Sequence, residues 1–263
     1  MELGIISGYN EDSFIAAKND GLSFIELCMN IGTDIGALEA DADNILRRIK
    51  EYGVKIGSIG RWGGRRILSD GTADPGELAV AQRLIDVCAK LGCPVYVTGC
   101  RFEQELTFDQ NCAAAVNFFG ALCEYGAAKA VRIAAYNCRW DNFVCDDRAW
   151  TRVLGALPAL GIKFDPSHAI YAGEDYLSLM KKWGRRFYHI HLKGSLVIDG
   201  ERFDDPPIGM DQTNWGAFMA VLYNQRYEGT LSLEPHSETW SGEMLKKGVR
   251  FSIDYIRPFL LGD

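Results

Sequence analysis

Residues 187–194 read Phe-Tyr-His-Ile-His-Leu-Lys-Gly. A strand turns successive side chains to opposite faces, so His189, His191 and Lys193 share one face and Tyr188, Ile190 and Leu192 the other. If the first face looks into a closed barrel, two imidazoles and an ammonium line its interior. Seven further short β-rich runs accompany this one, at 3–8, 24–29, 55–60, 94–99, 131–136, 162–165 and 230–234. They recur about every 30 residues with longer helical patterns between them, as βα units of a parallel sheet do. In 77–91, Leu78, Ala81, Leu84, Ile85 and Cys88 fall at helical spacing, and in 112–125 the apolar positions are Val116, Phe119, Leu122 and Cys123.

Eight such units, and no Gly-x-Gly-x-x-Gly after the first strand, favour closure over an open dinucleotide-binding sheet. The expected fold is α/β, a single (β/α)8 TIM barrel forming one domain over residues 1–263. Its strands read as apolar on both faces, with helices covering one side and the packed interior the other. The longest irregular stretch, 194–212, follows the seventh strand and is expected to cover the top of the barrel.

The chain is 48% hydrophobic and 24% charged, with a mean hydropathy of -0.08, which suits a large buried core. A net charge of -7 works against a nucleic-acid partner, because phosphate binding rests on surplus Lys and Arg. Neither a basic, apolar leader nor a spanning apolar run occurs, so a cytoplasmic protein with no membrane partner is expected, with homo-oligomerisation left open. The eight cysteines form no Cys-x-x-Cys pair and read as buried thiols rather than disulfides or zinc ligands.

All four histidines, His168, His189, His191 and His236, fall at or just past the C-terminal ends of the last three strands, which a barrel gathers at one mouth. Phe-Asp-Pro-Ser-His (164–168) ends the sixth strand at Pro166, leaving Asp165 at the rim as a ligand or, more plainly, as a turn cap. Leu-Ser-Leu-Glu-Pro-His (231–236) ends an apolar strand in Glu234, whose burial calls for a metal ion or a salt bridge to Arg61 or Lys193. His191 is the better ligand of the seventh strand. His189, one layer deeper, reads as a hydrogen-bonded core histidine. Asp165, His191 and Glu234 form a mixed oxygen and nitrogen set suited to a divalent metal, manganese first, with magnesium, cobalt or zinc as alternatives. Arg61-Trp62-Gly-Gly-Arg65-Arg66 follows the third strand and Arg139-Trp140 the fifth, offering guanidinium forks for anions and indole faces for sugar rings, although Arg65 and Arg66 read equally as solvated surface. Glu26, ending the second strand, is either a sugar-hydroxyl acceptor or an arginine partner.

The ordered series Gly-Leu-Ser-Phe-Ile-Glu-Leu (21–27), Phe-Asp-Pro-Ser-His (164–168), His-Ile-His-Leu-Lys (189–193), Gly209 to Trp215, and Tyr-Glu-Gly-Thr-Leu-Ser-Leu-Glu-Pro (227–235) resembles the xylose isomerase-like superfamily. Within it, the series is most similar to the sugar phosphate isomerase/epimerase group, which includes ketose 3-epimerases, hydroxypyruvate isomerase and inosose dehydratase. The resemblance implies that Asp165, His191 and Glu234 hold the metal and that His168 contacts substrate. It also implies proton abstraction beside a metal-polarised carbonyl, through an enediolate. One position departs from that pattern: the family's metal-binding Glu at the end of strand five is replaced by Tyr136 in Ala135-Tyr136-Asn137, leaving water, substrate or Asn137 to complete the coordination. The symmetric two-carboxylate epimerisation is thereby lost. A one-base reaction is favoured, with Glu234 or His168 as base and Tyr136 as acid or hydrogen-bond donor, since a phenol ionises only near about pH 10.

The expected function is therefore a metal-dependent sugar isomerase or epimerase acting on a small carbohydrate, with Glu26, Arg61, Trp62, Lys193, His189 and His236 around the substrate. The alternatives are a keto-sugar or cyclitol dehydratase or lyase, and a degenerate, non-catalytic carbohydrate-binding barrel.

Overall fold

Cap chemistry cuts the chain into its units. Helix α1 (Glu11–Asn19) is capped by Asn10, and α2 (Ile35–Tyr52) starts on the Asp34 carboxylate and stops at Gly53, whose φ of 71° is open to glycine without strain. Helix α3 (Pro75–Leu91) has Asp74 as cap, a proline in its first turn and Gly92 at its end, while α4 (Phe108–Ala127) opens on a capping box between Thr107 and Gln110. The others are α5 (Asp147–Ala156), α6 (Pro166–Tyr171), α7 (Tyr176–Trp183), α8 (Trp215–Asn224) and α9 (Glu243–Ile256).

In the computed structural model, which describes residues 1–262, the strands between these helices close on themselves. They are β1 (Glu2–Ile6), β2 (Phe24–Cys28), β3 (Lys55–Gly60), β4 (Val95–Thr98), β5 (Arg132–Tyr136), β6 (Gly161–Phe164), β7 (Phe187–Leu192) and, beyond a hairpin of β8 (Leu196–Ile198) and β9 (Glu201–Asp204), β10 (Thr230–Leu233). The order around the barrel is β1-β10-β7-β6-β5-β4-β3-β2, every pair parallel. This is the (β/α)8 TIM barrel read from the sequence. The stretch after β7, expected to be irregular, instead pairs with itself as the antiparallel β8–β9 hairpin. No helix among the described residues is long and apolar enough to cross a membrane.

The strands do not bury the same chemistry on both faces. Ile25, Leu27, Ile133, Ile190 and Leu231 pack outward into one large core with helix residues such as Phe14, Leu38, Leu84, Phe118, Trp150 and Phe218. The inner apolar cluster is small and lies on the β3–β5 side: Trp62, Val95, Val97, Ala134 and Tyr136. Glu26, Ser58, Lys163, Asp165, His189, His191, Thr230 and Ser232 are buried as well, so the expectation of apolar faces on both sides fails for β2, β6, β7 and β10. Two glycines admit the inner aromatics. A Cβ on Gly60 would collide with the indole of Trp62, and one on Gly99 would collide with the phenol of Tyr136. The two rings stack 5.6 Å apart at 23°.

Gly60→Ala is expected to push Trp62 off Tyr136 and cost about 1–3 kcal/mol, the usual range for overpacking. A lowered urea midpoint with altered tryptophan emission checks this; an unchanged midpoint would show that the indole has room to move.

Candidate active site

The barrel mouth opens into a cavity of about 520 Å³, lined among others by Trp62, Trp140, Lys163, His168, His191, Lys193, Arg202, Glu234 and His236. Beneath its floor lies a hydrogen-bonded chain of buried groups. Glu26 is fully buried; its Oε2 accepts from His189 Nε2 at 2.8 Å, and both its oxygens lie 2.9 Å from His191 Nε2. His189 Nδ1 sits 2.6 Å from the Thr230 hydroxyl. Because a carboxylate only accepts, His189 donates through Nε2 and takes the Thr230 proton on Nδ1. Burial holds His189 below its usual pKa despite Glu26, which keeps it neutral.

His191 lies between two carboxylates. Burial presses its pKa down, but Glu26 and Glu234 outweigh burial and hold it above the usual value. Its Nδ1 lies 2.6 Å from Glu234 Oε2. Burial pushes Glu26 and Glu234 up; the two histidines for Glu26, and Lys193 with His191 for Glu234, reverse this and hold both carboxyls well below the usual range.

Asp165 divides its labour between its two oxygens. Oδ1 accepts from Ser167 N at 2.9 Å and Ser167 Oγ at 2.7 Å, capping α6. Oδ2 is buried without a hydrogen bond, facing Lys193 Nζ at 3.3 Å, His168 Nε2 at 3.4 Å and Lys163 Nζ at 3.8 Å. Against the cost of burial, Lys193, then His168 and Lys163, draw its pKa to about 2. Asn137 fixes the Asp165 backbone from both sides, accepting from its N at 2.9 Å and donating to its O at 2.8 Å. Lys193 Nζ also sits 3.9 Å from Glu234 Oε2 and 3.4 Å from His168 Nε2. Burial would lower the Lys193 pKa, but Asp165 and Glu234 raise it. His168, mostly enclosed, is lowered by burial to about 4 and is neutral near pH 7.

Two groups here bring metal-type donors within 4.8 Å of one another: Asp165, His191 and Glu234, and Glu26, His189 and His191. The second is saturated by its own hydrogen bonds, and of its members only His191 borders the cavity. The first borders the cavity and contains the unbonded Asp165 Oδ2. Both His191 nitrogens face carboxylates, which only accept, so in this structure Nδ1 donates to Glu234. A divalent ion would take that proton's place on Nδ1 while Glu26 goes on accepting from Nε2, the carboxylate–histidine arrangement that orients metal ligands. The donor set thus fits a divalent ion.

Several expected positions fall elsewhere. Glu26 accepts from neither a sugar nor an arginine but from two histidines. Arg61 does not reach the cavity: its Nη2 and Nε bond Glu77 of α3 at 3.0 and 3.2 Å, because a buried guanidinium needs a carboxylate and Glu77 supplies one. The salt-bridge partner of Glu234 is therefore Lys193. Arg66 is buried against the carbonyls of Gly63, Gly64 and Arg61, and Arg65 pairs with Glu103. Tyr136 does not line the cavity; its hydroxyl donates to the Trp140 carbonyl at 3.0 Å, and Asn137 spends its amide on Asp165. His189 is the core histidine of the two. His236 sits at the rim, with Nδ1 3.0 Å from Asp205 Oδ2.

Sequence reasoning passed over Lys163, Arg202, Asp205 and two thiols. All eight cysteines are free, but Cys28 and Cys138 border the cavity. Arg202, from the hairpin, pairs with buried Asp205, which also accepts from Tyr171 and so anchors the hairpin over the mouth.

A family model described as xylose isomerase-like TIM barrel matches residues 14–258. Among curated proteins, an uncharacterised Bacillus subtilis (strain 168) protein, YfiH, is 26% identical over 120 residues, covering 38% of this chain and 37% of that protein, well short of two thirds of its length. Among solved structures, D-psicose 3-epimerase of Clostridium cellulolyticum H10, determined with D-tagatose, superposes with a TM-score of 0.81 at 12% identity, covering 99% of each chain. The probable 3-DHS dehydratase AsbF of Bacillus anthracis does so at 0.74 and 17%, covering 98% of this chain and 99% of that one. At these identities the likeness is one of fold.

The carboxylates set an acid limit on stability. A carboxyl whose pKa is lower folded than unfolded stabilises above its ordinary range, and this stabilisation fades as pH falls toward the folded value. For Asp165 that window runs from the ordinary 3.8 down to about 2. In chelator-treated protein the unfolding free energy is expected to fall between about pH 5 and 2, more shallowly in Asp165→Asn. Identical slopes in denaturant titrations would refute the assignment of Asp165.

Proposed function

The chain belongs to the xylose isomerase-like TIM barrel family, and from that premise we propose that it is a metal-dependent isomerase or epimerase of a sugar or sugar-derived hydroxy-ketone. The observation that carries this reading is the cluster of Asp165, His191 and Glu234 donors at the cavity floor, with Asp165 Oδ2 buried and unbonded. When bound, a divalent ion supplies Lewis-acid polarisation of a carbonyl and stabilises the negative charge that develops there; manganese remains the first candidate.

The chain's own groups account for the proton. Glu234, held ionised by Lys193 and His191, is the one carboxylate among the described residues lining the cavity. It takes the C–H proton beside the carbonyl and returns it to the neighbouring carbon, so that substrate and product are isomers. His168, neutral and beside Lys193, is placed to hold or exchange a hydroxyl proton. Trp62 and Trp140 give the sugar apolar walls. A dehydratase is the second reading. A single carboxylate on one side and ammonium groups on the other suit removal of a proton and departure of a β-hydroxyl as water.

Incubation in D2O discriminates between these outcomes. Recovered sugar carrying deuterium is expected, and loss of water from the product would identify the dehydratase. Glu234→Gln is expected to lower exchange by about 10²–10⁴-fold, the usual worth of a general base, and Tyr136→Phe by less than about threefold. Unchanged exchange in Glu234→Gln would remove Glu234 as the base.

A further inference from the structure

Lys163 is the group at this site with no partner of its own. It lies on β6, two residues before Asp165, and is buried to 1% exposure, yet it borders the cavity. Among the described residues its ammonium makes no hydrogen bond: the nearest carboxylate oxygen, Asp165 Oδ2, is 3.8 Å away, and the Trp62 ring lies 5.9 Å from Nζ. Lys193, by contrast, has Asp165, Glu234 and His168 around it, and Arg202 is answered by Asp205. With no acceptor on the protein, the ammonium opens onto the cavity, so its hydrogen bonds go to whatever fills that space.

The charge count says which kind of ligand. Glu26, Asp165 and Glu234 bring three negative charges. Lys163 and Lys193 bring two positive ones, and a divalent ion ligated by a neutral His191 brings two more, which leaves the loaded floor with one positive charge in excess. A neutral sugar leaves that excess buried, a phosphate monoester of nearly two charges overshoots it, and a carboxylate cancels it.

We propose that Lys163 is a substrate-binding residue that receives a carboxylate, and that the substrate is a sugar acid or another monoanionic hydroxy-acid rather than a neutral sugar. The inference deepens the preceding reading and rests on it for the ion's two charges. Lys163 sits on the same strand face as Asp165, so the carboxylate it holds lies beside the metal donors. The group undergoing proton transfer is then the carbon between that carboxylate and the Glu234 side of the cavity.

The test uses gluconate and glucitol, two six-carbon polyols that differ in one carboxylate. Mn²⁺ is first titrated into the whole protein to measure loading, and each polyol is then titrated calorimetrically. Gluconate is expected to bind at least about tenfold more tightly than glucitol, as one charge-assisted hydrogen bond allows. Lys163→Met is expected to abolish that preference and Lys163→Arg to retain part of it, each with its melting temperature as a check on folding. Equal affinities in the unsubstituted protein, no binding of gluconate, or a preference that survives in Lys163→Met would each overturn the proposal. Failure to take up Mn²⁺ would overturn the metal reading and, with the ion's two charges gone, the carboxylate assignment with it, whereas Mn²⁺ uptake without a Lys163-dependent gluconate preference overturns the role of Lys163 alone.

Discussion

Two buried carboxylates, Glu26 and Asp165, and a third half-buried at the cavity, Glu234, must be answered by cations and donors, and the inner half of the molecule is arranged around that requirement. Glu26 is the deepest. It cannot be hydrated, so it draws His189 and His191 to within 2.9 Å, and through them fixes Thr230 on one side and Glu234 on the other. The tautomer of His189 and the orientation of His191 follow from where that one charge sits, while Glu234 is held ionised by Lys193 first and then by His191. The outer core could be repacked without disturbing these groups; Glu26 could not be removed without disturbing all of them.

Much of this was legible because strand geometry is local. The period of two along Phe187–Leu192 placed His189 and His191 on one face, and the run of βα units fixed the order of strands, which is why Asp165, His191 and Glu234 meet as expected. Applied to β6, the same parity argument puts Lys163 on the face of Asp165. It was hidden because a lone lysine between apolar neighbours gives no pattern of its own. Other errors came from partners far away in sequence. Arg61 follows a strand and so points, by position, at the mouth, but Glu77 on the outer helix captures it. Glu26 finds its histidines 163 and 165 residues later, a distance only barrel closure spans. By resemblance Tyr136 stands at a ligand position, but it packs beside Gly99 and its hydroxyl donates to the Trp140 carbonyl.

The two halves of the interior also differ in how they hold their shape. On the β3–β5 side, Trp62, Tyr136 and the valines fill volume, and their energetics are those of contact and van der Waals fit. On the β6–β10 side the groups are held by paired charge, and removing one member leaves another buried and unanswered. The cavity lies between these regimes, with an indole wall on one side and an ionic floor on the other, which suits a ligand that is part ring face and part polar edge.

That asymmetry constrains how such a protein can change over generations. The apolar wall can drift by single exchanges of similar volume, each nearly neutral. The chain of Glu26, His189, His191 and Glu234 admits few such steps, since the first replacement strands a charge and only a second, elsewhere in the sequence, relieves it. Variants of this barrel therefore inherit their ionic floor as a block, and new substrate shapes arise first from the wall that faces it.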